Sequence, residues 1–137
     1  MTYRDIVKAQ LRVDEGVRYL PYQDTAGVLT IGIGHNLRDV PLSEQAVAVI
    51  FSDDLAAAEI AARRLVPNFD ALTDNRKAVV LNMAFNLGYT KLSSFKATLS
   101  YIVTGQWDKA AAGMRASLWA RQVGDRAERL AVLMEKG

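Results

Sequence analysis

The stretch from Asp14 to His35 reads DEGVRYLPYQDTAGVLTIGIGH. Upstream of it, Thr2 suits a helix N-cap, Ile6, Val7, Leu11 and Val13 recur at helical spacing, and Gly16 stands where a C-terminal cap belongs. A helix over 3–15 is therefore expected to end on two acids, Asp14 and Glu15. Pro21, the Asp24–Thr25–Ala26–Gly27 turn and the strand VLTIGIGH then read as a short antiparallel β region that closes near Pro41. A helix, a hairpin and then only helices make an α+β chain.

Beyond Pro41 the period lengthens to that of helices. Ser43 caps a second helix in which Val47, Ile50, Phe51, Leu55, Ala58, Ala62 and Leu65 lead to Pro67. At about 22 residues it is roughly 33 Å long, enough to connect two lobes. Thr73 caps a third helix, DNRKAVVLNMAFNL, closed by Gly88. A fourth spans SSFKATLSYIVTG, with Ser93 or Ser94 capping and Gly105 ending it. QWDKAAAGMRAS is a fifth and GDRAERLAVLMEKG the last. No repeat, low-complexity tract or linker interrupts them. One domain is expected over 1–137: a β lobe over about 16–42, a connecting helix over about 43–65, and a helical lobe over about 66–137 joined by the N-terminal helix.

Composition bounds the function. Half of the 137 residues are hydrophobic, enough for a core. There is no cysteine and one histidine, so neither a disulfide framework nor a Cys/His zinc site is available. A net charge of +2 does not argue for nucleic acid. The N-terminus carries charge throughout, unlike a secretory leader, and no apolar run reaches the roughly 18 residues of a membrane span. Synthesis in a cytoplasm is expected, with no membrane insertion.

Glu15, Asp24 and Thr30 are the candidate chemical groups. A carboxyl at a helix C-terminus faces partial negative charge, which favours its protonated, proton-donating form. Position alone fits an exposed surface glutamate better, since surface glutamates are common. Asp24 fits an Asx turn, and Thr30 fits ordinary strand preference. Together, two carboxyls and a hydroxyl gathered by one hairpin suit glycoside hydrolysis, which needs one acid protonated and one ionised. Gly32 and Gly34 would leave the strand open to a bulky polymer. GIGHNL lacks the third glycine of a dinucleotide loop, and no long apolar strand precedes it.

These residues carry a resemblance. Glu15, eight residues, Asp24, five residues and Thr30 resemble the signature of the phage-type, T4 lysozyme-like glycoside hydrolases. The motifs DEG, YQDTAGVLTIGIGH, NMAFNLG, SSF, QWDKAA and SLWARQVGDRAERL extend the likeness over nearly the whole chain. The resemblance implies an α+β lysozyme-like fold, with a small β lobe and a larger helical lobe bridged by the long helix across a cleft. It implies a muramidase cutting the β-1,4 bond between N-acetylmuramic acid and N-acetylglucosamine in peptidoglycan, with no cofactor and no metal. Glu15 would be the general acid, and Asp24 with Thr30 would position the water, giving inversion. Residues and spacing alone leave inversion and retention open.

The same resemblance implies supporting roles. Arg126 would pair with Glu15, Arg129 with Asp14, and His35 with Asp54 as a structural ion pair. Asn36, Phe85, Asn86 and Thr98 would contact substrate, and Gly113 falls where a polar contact would be expected. Trp107 and Trp119 read as core. The short segment RDVPLSE implies a trimmed β lobe, and the end at LMEKG lacks the family's aromatic tail; both would affect stability and substrate grip. The chain reads as a monomeric phage or prophage endolysin that acts on the wall after a phage protein permeabilises the membrane. The alternatives are a lytic transglycosylase, which needs one acid and no water, or a catalytically silent wall-binding phage structural protein.

Overall fold

A computed structural model describes residues 1–137. The chain forms two compact units, Met1–Ala48 and Val49–Gly137, and the division falls within one helix.

In the first unit, α1 spans Tyr3–Asp14. It begins in a capping box: the Asp5 carboxylate accepts the Thr2 N–H at 2.9 Å, and the Thr2 hydroxyl accepts the Asp5 N–H at 3.3 Å. It ends with Glu15 as C-cap and Gly16 at φ 73°. Strands β1 (Arg18–Gln23), β2 (Leu29–Gly32) and β3 (His35–Asn36) follow in an antiparallel sheet of order β1-β2-β3. Pairing runs from Tyr22 opposite Thr30 to Arg18 opposite Gly32, so β1 bulges between them. Pro21 lies in that bulge on an edge strand, where its missing N–H costs no ladder bond. VLTIGIGH is two strands rather than one. Ile31 pairs with His35, and Gly32, Ile33 and Gly34 make the turn, both glycines at positive φ.

Helix α2 spans Glu44–Leu65, and its Ser43 cap accepts the Ala46 N–H at 3.1 Å. The second unit continues with a 3-10 turn at Phe69–Ala71, then α3 (Asp74–Ser93), α4 (Lys96–Val103), α5 (Trp107–Arg115), α6 (Leu118–Val123) and α7 (Asp125–Lys136). Gly88 (φ 78°, ψ 169°) is non-helical and closes the first helical run of α3, as expected, and a second run follows it to Ser93. Two expectations change here. Ser93 and Ser94 do not cap α4: their hydroxyls donate back to the Thr90 and Lys91 carbonyls and close α3. SLWARQV forms a separate helix, α6, capped by Ser117 and stopped by Gly124 at φ 61°.

The core gathers Val79, Val80 and Met83 of α3, Ile102 of α4, Met114 of α5 and Met134 of α7, with α7 packed on α3, α5 and α6. Trp119 is buried, as expected of a core residue; Trp107 is half-buried. Trp107 lies under the Arg76 guanidinium, 3.9 Å from its ring centre. Arg76 also donates to the carbonyls of Met134 and Glu135 at 2.8 and 3.1 Å, satisfying orphan groups at the end of α7.

Candidate active site

The first unit brings Glu15, Asp24 and Thr30 onto one short piece of structure. Glu15 is anchored by its N–H to the Leu11 carbonyl at 2.9 Å, and its side chain lies over the β2–β3 turn. A Cβ built on Gly34 would stand 2.9 Å from Glu15 Oε2 and 3.0 Å from its Cδ. Gly34 is therefore not an open floor: the absent side chain is the seat of the Glu15 carboxyl. Gly32, with nothing within 4 Å of such a Cβ, keeps the open character expected of both.

Asp24 builds its own turn. Its Oδ1 accepts the N–H groups of Ala26 and Val28, both at 2.8 Å, and its backbone carbonyl accepts the Gly27 N–H at 2.9 Å. This is the Asx turn that the sequence suggests. The two bonds saturate Oδ1 and fix the plane of the carboxylate, while Oδ2 projects free of them. Thr30 is the one buried residue of this unit, 4% exposed. Its hydroxyl donates to the Val28 carbonyl at 2.8 Å, and the Asp24 N–H donates to the same carbonyl at 3.0 Å. One peptide, that of Val28, thus ties Asp24 to Thr30. The hydroxyl has spent its only hydrogen, so Thr30 Oγ faces any further partner as an acceptor.

Asn36 and His35 lie on β3. Asn36 Oδ1 accepts the N–H groups of Arg38 and Asp39 at 3.0 and 2.9 Å, and its Nδ2 donates to Asp39 at 3.0 Å. One amide hydrogen of Nδ2 remains unspent. Arg38 completes this turn with a 3.1 Å ion pair to Asp39, and its hydrogen bonds hold the Asp39 carboxyl below the usual carboxylate range. His35 Nε2 is buried without a hydrogen-bond partner. Asp14 is the last residue of α1, and exposed.

In the second unit, α3 presents two asparagines one turn apart. Asn82 Oδ1 accepts both Nε and Nη2 of Arg126, at 3.1 and 2.7 Å. Asn86 Oδ1 accepts the indole N–H of Trp119 at 2.8 Å, leaving its amide N–H groups free. Neither the hold of Asn82 on Arg126 nor that of Asn86 on Trp119 is announced by the sequence; their only trace is the Asn82–Asn86 spacing on α3. Phe85 is 42% exposed and meets Phe51 edge-to-face with ring centres 5.8 Å apart, so it is a surface aromatic rather than a core one. Thr98 is 6% exposed, and its hydroxyl occupies the space where a Gly113 side chain would go. Gly113 therefore lets α4 and α5 approach. Thr98 also borders a cavity of about 500 Å³ with Lys91, Lys96 and Trp119. Arg129 is exposed on α7, and Asp54 rims a groove between α2 and α3.

Residues 12–135 match the phage lysozyme family. The chain belongs to that family. Among its curated relatives, the pre-baseplate central spike protein Gp5 of Enterobacteria phage T4 is 29% identical over 93% of this chain, which spans only 27% of that protein. A probable T4-type lysozyme of Dictyostelium discoideum is 28% identical over 96% of this chain and 94% of its own length. The SAR-endolysin of Escherichia phage Mu is 33% identical over 71% of this chain and 56% of its own. Seven helices and a small antiparallel sheet agree with an α+β lysozyme-like fold. No helix is long and apolar enough to cross a membrane.

Proposed function

We propose that the chain is a peptidoglycan-degrading muramidase of the endolysin type, cutting the β-1,4 bond between N-acetylmuramic acid and N-acetylglucosamine. Glu15 protonates the glycosidic oxygen as that bond breaks. A water attacks the anomeric carbon from the opposite face, and Asp24 accepts its proton, so the product's anomeric configuration is inverted. The observation that carries the reading is the Asp24–Val28–Thr30 network. Oδ1 of Asp24 is saturated and Thr30 Oγ can only accept. A water held by Asp24 Oδ2 and Thr30 Oγ must donate both hydrogens to them, which turns its lone pair toward the sugar.

The same reading treats the two units as one lysozyme domain working on one glycan strand, with Arg126 pairing with Glu15, Arg129 with Asp14, and His35 with Asp54. Asn36, Phe85, Asn86 and Thr98 serve as sugar contacts. The protein acts as a monomer on the wall, after a phage protein has opened the membrane. Muropeptide mass spectrometry after digestion tests the chemistry. The expected products carry hydrated reducing ends, lost by at least about a hundredfold in Glu15→Gln and Asp24→Asn variants that remain folded. A 1,6-anhydro end would identify a transglycosylase instead. The likeness to a phage spike protein favours a second reading, a module of a structural protein without turnover. Failure of the wild-type chain to clear a suspension of purified peptidoglycan would select it.

A further inference from the structure

Within Val49–Gly137, one cation is fixed without being neutralised. Asn82 Oδ1 accepts two hydrogen bonds from Arg126, from Nε at 3.1 Å and from Nη2 at 2.7 Å, and both residues are half-buried. No carboxylate of this unit pairs with Arg126, although Arg63 and Arg115 of the same unit each hold two. Asp125 and Glu128 are its near neighbours in sequence, but at such spacings side chains on a helix do not face each other. Arg126 also stands in the first turn of α7. A half-buried cation there is disfavoured twice, by desolvation and by the partial positive charge of the helix N-terminus. An aspartate at position 82 would relieve both. Asparagine has the same shape and relieves neither.

The geometry of the hold gives the neutral partner a use. Asn82 takes the Nε hydrogen and one hydrogen of Nη2, the side edge of the guanidinium. The end edge, made by Nη1 and the other hydrogen of Nη2, stays whole, and its two parallel donors fit the two oxygens of a carboxylate. We propose that Asn82 is a positioning residue of the reaction: it grips Arg126 by one edge and, being uncharged, leaves the other edge and the whole positive charge for the carboxylate that the reaction uses. The proposal rests on the muramidase reading for the identity of that carboxylate, the acid Glu15, and adds Asn82 to the residues that set it.

The test sets stability against turnover in the full chain. Asn82→Asp keeps the shape and gives Arg126 a charge of its own, so it should raise the urea midpoint. It should also lower kcat on peptidoglycan by at least about tenfold, the worth of one hydrogen bond to a charged group, with KM held. A merely structural asparagine would let activity follow stability. Asn82→Leu should lower kcat to a similar extent by letting the guanidinium loose. Arg126→Lys keeps the charge and loses the fork, and should match it. The double variant Asn82→Leu with Arg126→Lys should lose no more than either single change, because both break one device. Full turnover in Asn82→Asp, or losses that multiply in the double variant, would overturn the proposal. A wild-type chain that never cleaves peptidoglycan would refute the muramidase reading instead. The hold itself is then read from the Arg126 Nε–H signal in NMR, which should be protected from exchange in the wild type and in Asn82→Asp and exposed in Asn82→Leu; an unprotected signal in the wild type would overturn the hold.

Discussion

Replacing Gly34 by alanine separates what the turn glycine does for the backbone from what it does for the acid. Gly34 has φ 66°, a left-handed conformation that costs an alanine roughly 1–2 kcal/mol. The new Cβ would also stand 2.9 Å from Glu15 Oε2, 3.0 Å from Cδ and 3.2 Å from Cγ. These atoms are the far end of a flexible side chain, so the fold gives way there cheaply and the carboxyl moves. A displacement on the order of 1 Å at a catalytic group costs about a hundredfold in rate. Gly32→Ala is the control. Its φ is 69°, so the backbone cost is the same, but no atom lies within 4 Å of the new Cβ. Urea unfolding should show both variants destabilised alike, by roughly 1–2 kcal/mol. Clearance of peptidoglycan suspensions should fall about a hundredfold for Gly34→Ala and stay near wild type for Gly32→Ala. Equal activities in the two variants, whether both high or both low, would refute the claim that Gly34 seats Glu15.

Two further outcomes concern the helical unit. Gly113→Ala pushes a methyl into the Thr98 hydroxyl and should cost about 1–3 kcal/mol in chemical denaturation, most of it recovered when Thr98→Ala is added; a purely additive double mutant would show that the two do not touch. Arg115 donates to both oxygens of Glu128, at 2.9 and 3.1 Å, and to Glu135 at 3.3 Å. These hydrogen bonds hold the Glu128 carboxyl below its ordinary value. A depressed carboxyl contributes stability above its unfolded pKa and loses it as pH falls through the folded one. Arg115→Met should therefore lower the thermal midpoint slightly at neutral pH, the pair being exposed, and the gap from wild type should close in acid; a gap that persists below the carboxylate range would mean that packing, not charge, is what Arg115 supplies.

Much of the candidate site was readable because its bonds are local. Thr2 with Asp5, Ser43 with Ala46, Thr73 with Arg76, and Asp24 with Ala26 and Val28 all join residues at most four positions apart. Such bonds form wherever the chain adopts the local turn, so residue type and spacing are sufficient to call them. Glu15 at the end of α1 and Thr30 in β2 follow from the same short-range rules. Local rules failed where two partners competed. Ser94 is an ordinary N-cap residue, yet its hydroxyl donates to Lys91 and leaves α4 uncapped by a side chain. Gly88 does stop its helix, but the short second run to Ser93, which buries Leu92, carries no motif that announces it. What the sequence did not contain is the company each side chain keeps once the elements pack. Gly34 receives the Glu15 carboxyl, Gly113 admits Thr98, and Arg126 finds Asn82 across 44 residues of chain. Contacts of that range are made only when whole elements come together, and burial of apolar faces, not the spacing of any motif, decides which elements meet.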